Sequence, residues 1–309
     1  MGIVMAMQGA ASQGVLWGIM TLGLFITFKI LDFADMTVDG SFALGGSTSA
    51  VLIVHGVNPY LSLLVSAAVG ATAGLVTGTL HTKLKIPGIL AGILTMIALY
   101  SINIRIMGQA NTPLLGEPTV LDFISNTFGL GKSQGSLAIG ILFSALLVAV
   151  MYWFFGTELG SAIRATGNNV RMVRALGVDT DRMKNVGLAI SNALVALSGA
   201  LVAQSQGYAD VGMGTGTIVI GLASIIIGEV VFGKRFSFWY RLMSVVLGSV
   251  IYRIIIAVVL QLGLKSTDLK LLTAVIVAFA LALPVLRGNL VRHRNRRANR
   301  MAAAEGGAL

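Results

Sequence analysis

The feature that most limits how this chain can fold is a series of nine apolar stretches, interrupted by charged, proline or glycine residues. The stretches cover residues 12–30, 41–54, 60–80, 87–107, 136–155, 185–205, 215–232, 242–262 and 270–286. Because an α-helix rises about 1.5 Å per residue, about 20 apolar residues cross the hydrocarbon layer of a membrane. The sequence therefore predicts an all-α, polytopic integral membrane protein with eight to ten transmembrane helices, in which residues 1–286 form one membrane domain. The second stretch is short and contains Gly45 and Gly46, which predicts a broken or re-entrant helix.

Composition and motifs argue against a soluble protein and against an enzyme. Charged residues make up 11% of the chain, whereas a soluble domain carries about 25%. The chain has no Cys, and its three His are far apart, so disulfides and Cys or His metal sites are not expected. No HExxH motif occurs, and Gly131-Lys132-Ser133 is not a phosphate loop because position 126 is Asn. We therefore expect no catalytic residue, cofactor or metal in this chain.

Positive charge is concentrated on one side of the predicted spans. Placing the loop at 81–86 on the cytoplasmic side puts 17 of the 22 Lys and Arg residues there, including a basic tail at 287–309. Because cytoplasmic loops are enriched in Lys and Arg, this bias predicts an N-terminus outside and a C-terminus inside. The tail would meet anionic head groups, so the net charge of +10 is explained without a nucleic-acid partner.

Small residues in the third stretch predict close helix packing. Gly70, Gly74 and Gly78 lie on one helical face, and such stripes let two backbones approach each other in a membrane. A faint likeness between 66–76 and 191–202 leaves a second interpretation open, an internal duplication of the kind that transporters use.

Residues 156–184, here called the inner segment, are the longest segment on the positive side and predict a short amphipathic helix. Asn168 or Asn169 can cap its start, and Gly177 can end it. Its apolar face would comprise Met172, Val173 and Leu176, and its basic face Arg171 and Arg174. Two interpretations remain open. The helix either lies on the lipid head groups or docks into a cytoplasmic partner and transmits that partner's movement to the spans.

The sequence resembles a known family at three places. The block LGSAIRATGNNVRMVRALGVDTDRMKNVGLAISNALVALSGALVA at 159–203 resembles the cytoplasmic coupling loop and following span of bacterial ABC importer permeases of the branched-chain amino acid and ribose permease superfamily. ILDFADMTVDGSFALGG at 30–46 and GLASIIIGEVVFG at 221–233 extend the resemblance over most of the chain. At 32–35 the chain has Asp-Phe-Ala-Asp where the family commonly has Asn-Phe-Ala-His, so the roles of that Asn and His are not carried over. The pattern is most similar to permeases associated with aromatic amino acid uptake.

The resemblance implies a type II-like importer permease fold and a set of partners. It implies a permease without enzymatic activity that works as a dimer, most simply a homodimer. Two cytoplasmic ATP-binding cassette subunits would bind ATP and Mg, and an extracellular or periplasmic binding protein would deliver the solute. The coupling surface implied for this chain comprises Arg164, Gly167, Asn168, Arg171, Arg174, Leu176 and Gly177. We expect Gly167→Trp to abolish transport while leaving the fold intact.

Polar and ionisable residues within the apolar stretches are candidates for a solute pathway, because they are costly in lipid unless paired or hydrated. The candidates are Asp32, Asp35, Asp39, Asn103, Glu229 and Arg253. Glu229 and Arg253 differ in depth by roughly 12 Å, and each is alternatively a member of a structural pair. The three Asp residues are alternatively an ordinary inner loop, in which Asp39 caps the apolar run that follows it.

The prediction from sequence is thus a permease subunit of an ATP-driven importer in the bacterial cytoplasmic (inner) membrane. Its solute would be a small organic molecule, most simply an amino acid such as tryptophan or tyrosine. The alternative is a stand-alone secondary transporter coupled to ions or protons, in which Glu229, Arg253 or the Asp cluster would carry the coupling.

Overall fold

The chain folds into a bundle of long apolar helices. A computed structural model describes residues 2–122, 132–233, 237–263, 268, 271–279 and 282. The helices are α1 (Gly2–Phe25, continued by a π-helical turn at Ile26–Ile30), α2 (Thr37–Val54), α3 (Pro59–Thr82), α4 (Gly88–Met107), α5 (Lys132–Gly156), α6 (Glu158–Asn168), α7 (Val170–Ala175), α8 (Thr180–Gln206), α9 (Thr217–Phe232) and α10 (Phe238–Gln261). Two short strands, β1 (Asn111–Pro113) and β2 (Tyr208–Asp210), complete the described elements.

The predicted all-α membrane architecture is confirmed. Seven helices are long and apolar enough to cross a membrane, and α9, with 16 residues, is a shorter apolar helix. These eight helices coincide with eight of the nine predicted stretches. Of the ninth stretch, 271–279 is helical, while most of the rest, like the basic tail at 287–309, lies outside the described residues.

The second stretch is not broken, contrary to the prediction. α2 is one continuous helix of 18 residues. Gly45 lies against the backbone of Ala196 in α8, and Gly46 lies against Met213. The two glycines therefore serve close packing on neighbouring segments, and the helix keeps its regular hydrogen bonds through them.

The centre of the bundle is formed by α1, α2 and α8, which are mostly buried, whereas much of α4 and α5 faces outward. The glycine stripe of α3 packs on α8 as predicted. Gly70, Gly74 and Gly78 face Asn192, Leu188 and Asn185 in that order. Since a side chain at any of these glycines would collide with α8, the small residues set the distance between the two helices.

A two-stranded antiparallel ribbon closes the end of the bundle that is remote from the inner segment. β1 follows α4, β2 follows α8, and Asn111 pairs with Asp210. From this ribbon, residues 211–216 lead back into the bundle. Gly214 lies against the carbonyl group of Asp39 in α2. α9 therefore begins inside the protein instead of at its surface.

Candidate functional site

A cavity of about 450 Å³ lies between α2, α4 and residues 211–215; it is called the bundle cavity below. Its polar lining comprises Asp39, Tyr100, Ser101, Asn103 and Thr215, and its apolar lining comprises Ala43, Met96, Ile97 and Val211. Two residues that the sequence placed on a solute pathway, Asp39 and Asn103, thus share one cavity. Tyr100 was not predicted, although it precedes Asn103 by three residues and so lies on the same face of α4.

Asn103 offers an unused hydrogen-bond acceptor at this cavity. The residue is 1% exposed, and its Nδ2 donates to the carbonyl oxygen of Gly40 at 3.4 Å. Its Oδ1 has no hydrogen-bond partner within the described part of the chain. A buried acceptor without a partner costs about 1–3 kcal/mol. A donor group on a solute in the bundle cavity would therefore bind favourably there.

Asp39 caps α9 and not its own helix, so that expectation is wrong. Its Oδ2 accepts from the Gly216 N–H at 3.0 Å. Its Oδ1 accepts from the Thr217 hydroxyl at 2.7 Å and from the Ile218 N–H at 3.0 Å. The first N–H groups of a helix have no partner within that helix and carry partial positive charge, which a carboxylate satisfies. Asp39 therefore makes it possible for α9 to start inside the bundle.

Asp35 links α2 to α8 through hydrogen bonds. Its Oδ1 accepts from the Thr37 N–H at 2.9 Å, and its Oδ2 accepts from Asn192 Nδ2 at 2.8 Å. The Ser41 hydroxyl donates to Asn192 Oδ1 at 2.7 Å. Asp35 lies between two spanning helices, and burial raises the pKa of its carboxyl group, against the lowering effect of these hydrogen bonds. The structure thus engages Asp35 in helix contacts, outside the bundle cavity.

Glu229 and Arg253 have separate partners. Glu229 is 8% exposed, and its Oε2 lies 3.1 Å from Nζ of Lys29, a pairing 200 residues apart that the sequence did not indicate. The Arg253 guanidinium lies 3.9 Å from the ring centroid of Trp17 in a cation–π contact. Asp32, by contrast, is exposed at the inner end of α1, and neither it nor these two residues reach the bundle cavity.

The inner segment contains two helices instead of one. The predicted short helix is α7, with Asn169 Oδ1 accepting from the Met172 N–H at 3.1 Å and Gly177 in the left-handed region at φ +84°. α6 was not predicted, although Thr157 was available as its N-cap. Asp179 caps α8 by accepting from the N–H groups of Asp181 and Arg182.

The faces of α7 differ from the prediction. Val173 is buried, but Met172 and Leu176 are exposed, Leu176 by 73%. Arg171 is exposed as well, whereas Arg174 donates to the Thr180 hydroxyl at 2.9 Å and to Asp181 Oδ1 at 3.3 Å. An outward patch of Met172, Leu176 and Arg171 is the consequence, in place of an apolar face turned toward the membrane.

Gly167 packs within its own chain. A side chain at this position would collide with the carbonyl oxygen of Ile30 at the end of the π-helical turn. The space that this glycine leaves is therefore filled by α1, and the expectation that Gly167→Trp would leave the fold intact is wrong. Of the other implied coupling residues in α6, Arg164 and Asn168 are exposed.

The fold is that of a polytopic membrane protein with a cavity beside α2 and α4, and sequence comparison specifies its family. Residues 6–284 match the family described as branched-chain amino acid transport system / permease component, so the chain belongs to that family. It is accordingly a permease component of a transport system.

Several curated relatives are similar over most or much of the chain. A tyrosine transport system permease protein of Clostridioides difficile is 43% identical over 271 residues, which is 88% of each chain. A probable branched-chain amino acid transport permease protein of Methanocaldococcus jannaschii is 28% identical over 63% of this chain and 64% of its own length. The ribose import permease protein of Escherichia coli is 25% identical over 57% of this chain and 54% of its own length. No solved structure matches the chain.

Proposed function

We propose that this chain is the membrane-spanning permease subunit of an ATP-driven ABC importer for an aromatic amino acid, tyrosine or tryptophan. The observation that carries the proposal is the 43% identity over 88% of the chain to a permease named for tyrosine transport. The bundle cavity supports it, because about 450 Å³ lies within the range of small-molecule sites, about 300–1,000 Å³. Tyr100 offers a ring for stacking, and Asn103 offers an acceptor for an ammonium group.

The proposal includes partners and an orientation. A second copy would complete a homodimer, two cytoplasmic subunits would bind and hydrolyse ATP with Mg, and an extracellular or periplasmic protein would deliver the solute. The chain itself would bind no cofactor or metal and catalyse no reaction. Its N-terminus would lie outside and its C-terminus inside the bacterial inner membrane, with the membrane domain at 1–286 and the basic tail at 287–309 on the cytoplasmic side.

The inner segment is the proposed contact with the ATPase. Met172 and Leu176 are apolar yet exposed, and Arg171 stands beside them. Exposed apolar residues next to a cation suit a protein interface better than open water. Arg164, Asn168, Arg174 and Gly177 would frame this patch. Gly167 would act indirectly, by seating α6 on the end of α1.

The stand-alone alternative has less support. Glu229 is paired with Lys29, Arg253 stacks on Trp17, and Asp35 is hydrogen-bonded between two helices. In the structure these residues make contacts that join helices, and they lie outside the bundle cavity.

Uptake of labelled tyrosine by cells that express the complete system tests the proposed function. We expect uptake to persist when an uncoupler dissipates the proton gradient, and to stop when the ATPase subunit is inactivated. The opposite pair of results, loss with the uncoupler and persistence without the ATPase, would establish the stand-alone transporter.

A substitution at Leu176 tests the proposed coupling contact. Leu176→Asp places a charge in the outward patch, so we expect at least about a fivefold loss of uptake, the effect of losing an interface anchor worth more than about 1 kcal/mol. The amount of folded protein should not change, because the side chain is 73% exposed. Leu84, 65% exposed in the loop between α3 and α4, provides the matched control. Equal losses for Leu84→Asp and Leu176→Asp would contradict a specific contact at Leu176.

A further inference from the structure

A second cavity, of about 820 Å³, lies at the inner end of the bundle between the π-helical turn of α1, α6 and the start of α10; it is called the basic cavity below. Three cations line it, Lys29, Arg164 and Arg241, against one carboxylate, Asp32. Lys29 is neutralised by Glu229. Within the described residues, no carboxylate pairs with Arg164 or Arg241. The basic cavity therefore carries uncompensated positive charge.

Both guanidinium groups are held in place by aromatic rings. Arg164 Cζ lies 4.9 Å from the ring centroid of Phe238, and Arg241 Cζ lies 5.6 Å from that of Phe25. A guanidinium stacked on a ring presents its N–H donors at its edge, where they can bind an oxyanion. Because the two arginines share a cavity, they can act on one anionic group.

The surroundings of the basic cavity indicate that it lies at the depth of the lipid head groups. An adjoining cavity of about 520 Å³ shares Arg164 and Phe238 with it and is lined by Tyr152 and Trp153 at the end of α5. Trp153 is 70% exposed and Tyr152 is exposed as well. Exposed Trp and Tyr at the end of a spanning helix are typical of the membrane interface. The basic cavity thus continues sideways onto a surface that contacts lipid.

We infer that the basic cavity binds the phosphate of an anionic phospholipid, with Arg164 and Arg241 as donors and an acyl chain along Tyr152 and Trp153. A lipid fits better than a free phosphate ion, because the cationic part adjoins an aromatic surface where hydrocarbon is present. Anionic head groups attract Lys and Arg at this level of the membrane. The inference concerns this chain alone and does not depend on the proposed solute or on an ATPase.

The test compares lipid retention by variants of the full chain. The protein is reconstituted in nanodiscs of phosphatidylcholine with a minority of phosphatidylglycerol, and the phosphatidylglycerol that remains bound after extraction into detergent is counted by native mass spectrometry. We expect the wild type to retain phosphatidylglycerol selectively and to melt at a higher temperature with it than with phosphatidylcholine alone. The double variant Arg164→Gln, Arg241→Gln should lose roughly 30-fold in affinity, since each of the two cations near the surface contributes a factor of about five.

Two controls keep the inference falsifiable. Lys83→Gln with Arg182→Gln removes the same charge from exposed inner positions outside the basic cavity, and it should retain the lipid. Arg164→Lys, Arg241→Lys keeps the charge and should recover part of the affinity, even if the Gln variant folds poorly. Equal retention by the wild type and the Gln variant would overturn the inference, as would equal loss in the Lys83, Arg182 control. Displacement of the lipid by inorganic phosphate would identify a free-anion site instead.

Discussion

Replacing Asp39 with Ala should destabilise this protein, because three hydrogen bonds at the start of α9 depend on this one side chain. The substitution removes the acceptor for the Gly216 and Ile218 N–H groups and for the Thr217 hydroxyl. These groups lie where α9 begins inside the bundle. These bonds are partly buried, and losing a side-chain cap at the start of a helix costs about 0.5–2 kcal/mol, so we expect a loss of about 2 kcal/mol. Removal of a partly buried carboxylate, itself costly to desolvate, offsets part of this loss.

Thermal unfolding in detergent, followed by size-exclusion chromatography, measures the effect. Asp39→Asn keeps one acceptor oxygen but removes the charge. Its unfolding temperature should lie between those of Asp39→Ala and the wild type. Asp210→Ala is the matched control, because Asp210 Oδ1 accepts from the Gly212 N–H at 2.7 Å in an exposed turn, where water can replace it. If Asp39→Ala unfolds at the same temperature as the wild type, the stability of α9 does not depend on this cap.

Replacing Gly199 with Ala should also produce a large loss of stability. Gly199 lies in α8 against the backbone carbonyl of Phe42 in α2, and both residues belong to the centre of the bundle. A methyl group there requires two tightly packed helices to separate, at a cost of about 1–3 kcal/mol. Ala returns about 1 kcal/mol by its higher helix propensity, so the net loss is up to about 2 kcal/mol. We expect the upper end, because the obstructing atom is a backbone oxygen that cannot turn aside. Gly199→Leu should leave little folded protein.

Gly9→Ala is the matched control for Gly199→Ala. Gly9 lies within α1, and a Cβ added there would meet no atom of the other described helices within 4 Å. Only the propensity term applies, so the variant should be as stable as the wild type or more stable by up to about 1 kcal/mol. Equal unfolding temperatures for the two Ala variants would show that the contact between α2 and α8 tolerates a methyl group.

The spanning helices were predictable because membrane thickness fixes their length, and that signal is local in sequence. The role of Gly45 was not predictable, because a glycine in an apolar stretch is compatible both with a break in the helix and with a close contact between helices. Only the position of Ala196, about 150 residues away, decides between them. α6 carried a usable signal in Thr157, which a search for caps in addition to apolar runs would have found.

The candidate site was predicted only in part, because some of its contacts join residues that are far apart in the sequence. Asp39 and Asn103 were identified as polar residues in apolar surroundings, which needs no knowledge of the fold. Their meeting in one cavity depends on how α2 packs against α4. The cap that Asp39 makes joins residues 177 positions apart, and no local pattern encodes such a pair. The coupling residues and the orientation of the termini stay predictions.

The ribbon at the far end of the bundle has a mechanical consequence for the bundle cavity. The pairing of β1 with β2 joins the end of α4 to residues 211–215, which follow β2. Two of the three walls of the bundle cavity, α4 and 211–215, are therefore connected at one end of the cavity. The third wall, α2, is connected to the start of α9 by the hydrogen bond from the Ile218 N–H to Asp39. α2 and α4 are joined by close packing of Gly40 on Leu99 and Met96 and by the 3.4 Å contact of Asn103 with Gly40. Because Asn103 uses Nδ2 for Gly40 and leaves Oδ1 unpaired among the described residues, a donor group could bind Oδ1 while all three walls stay connected.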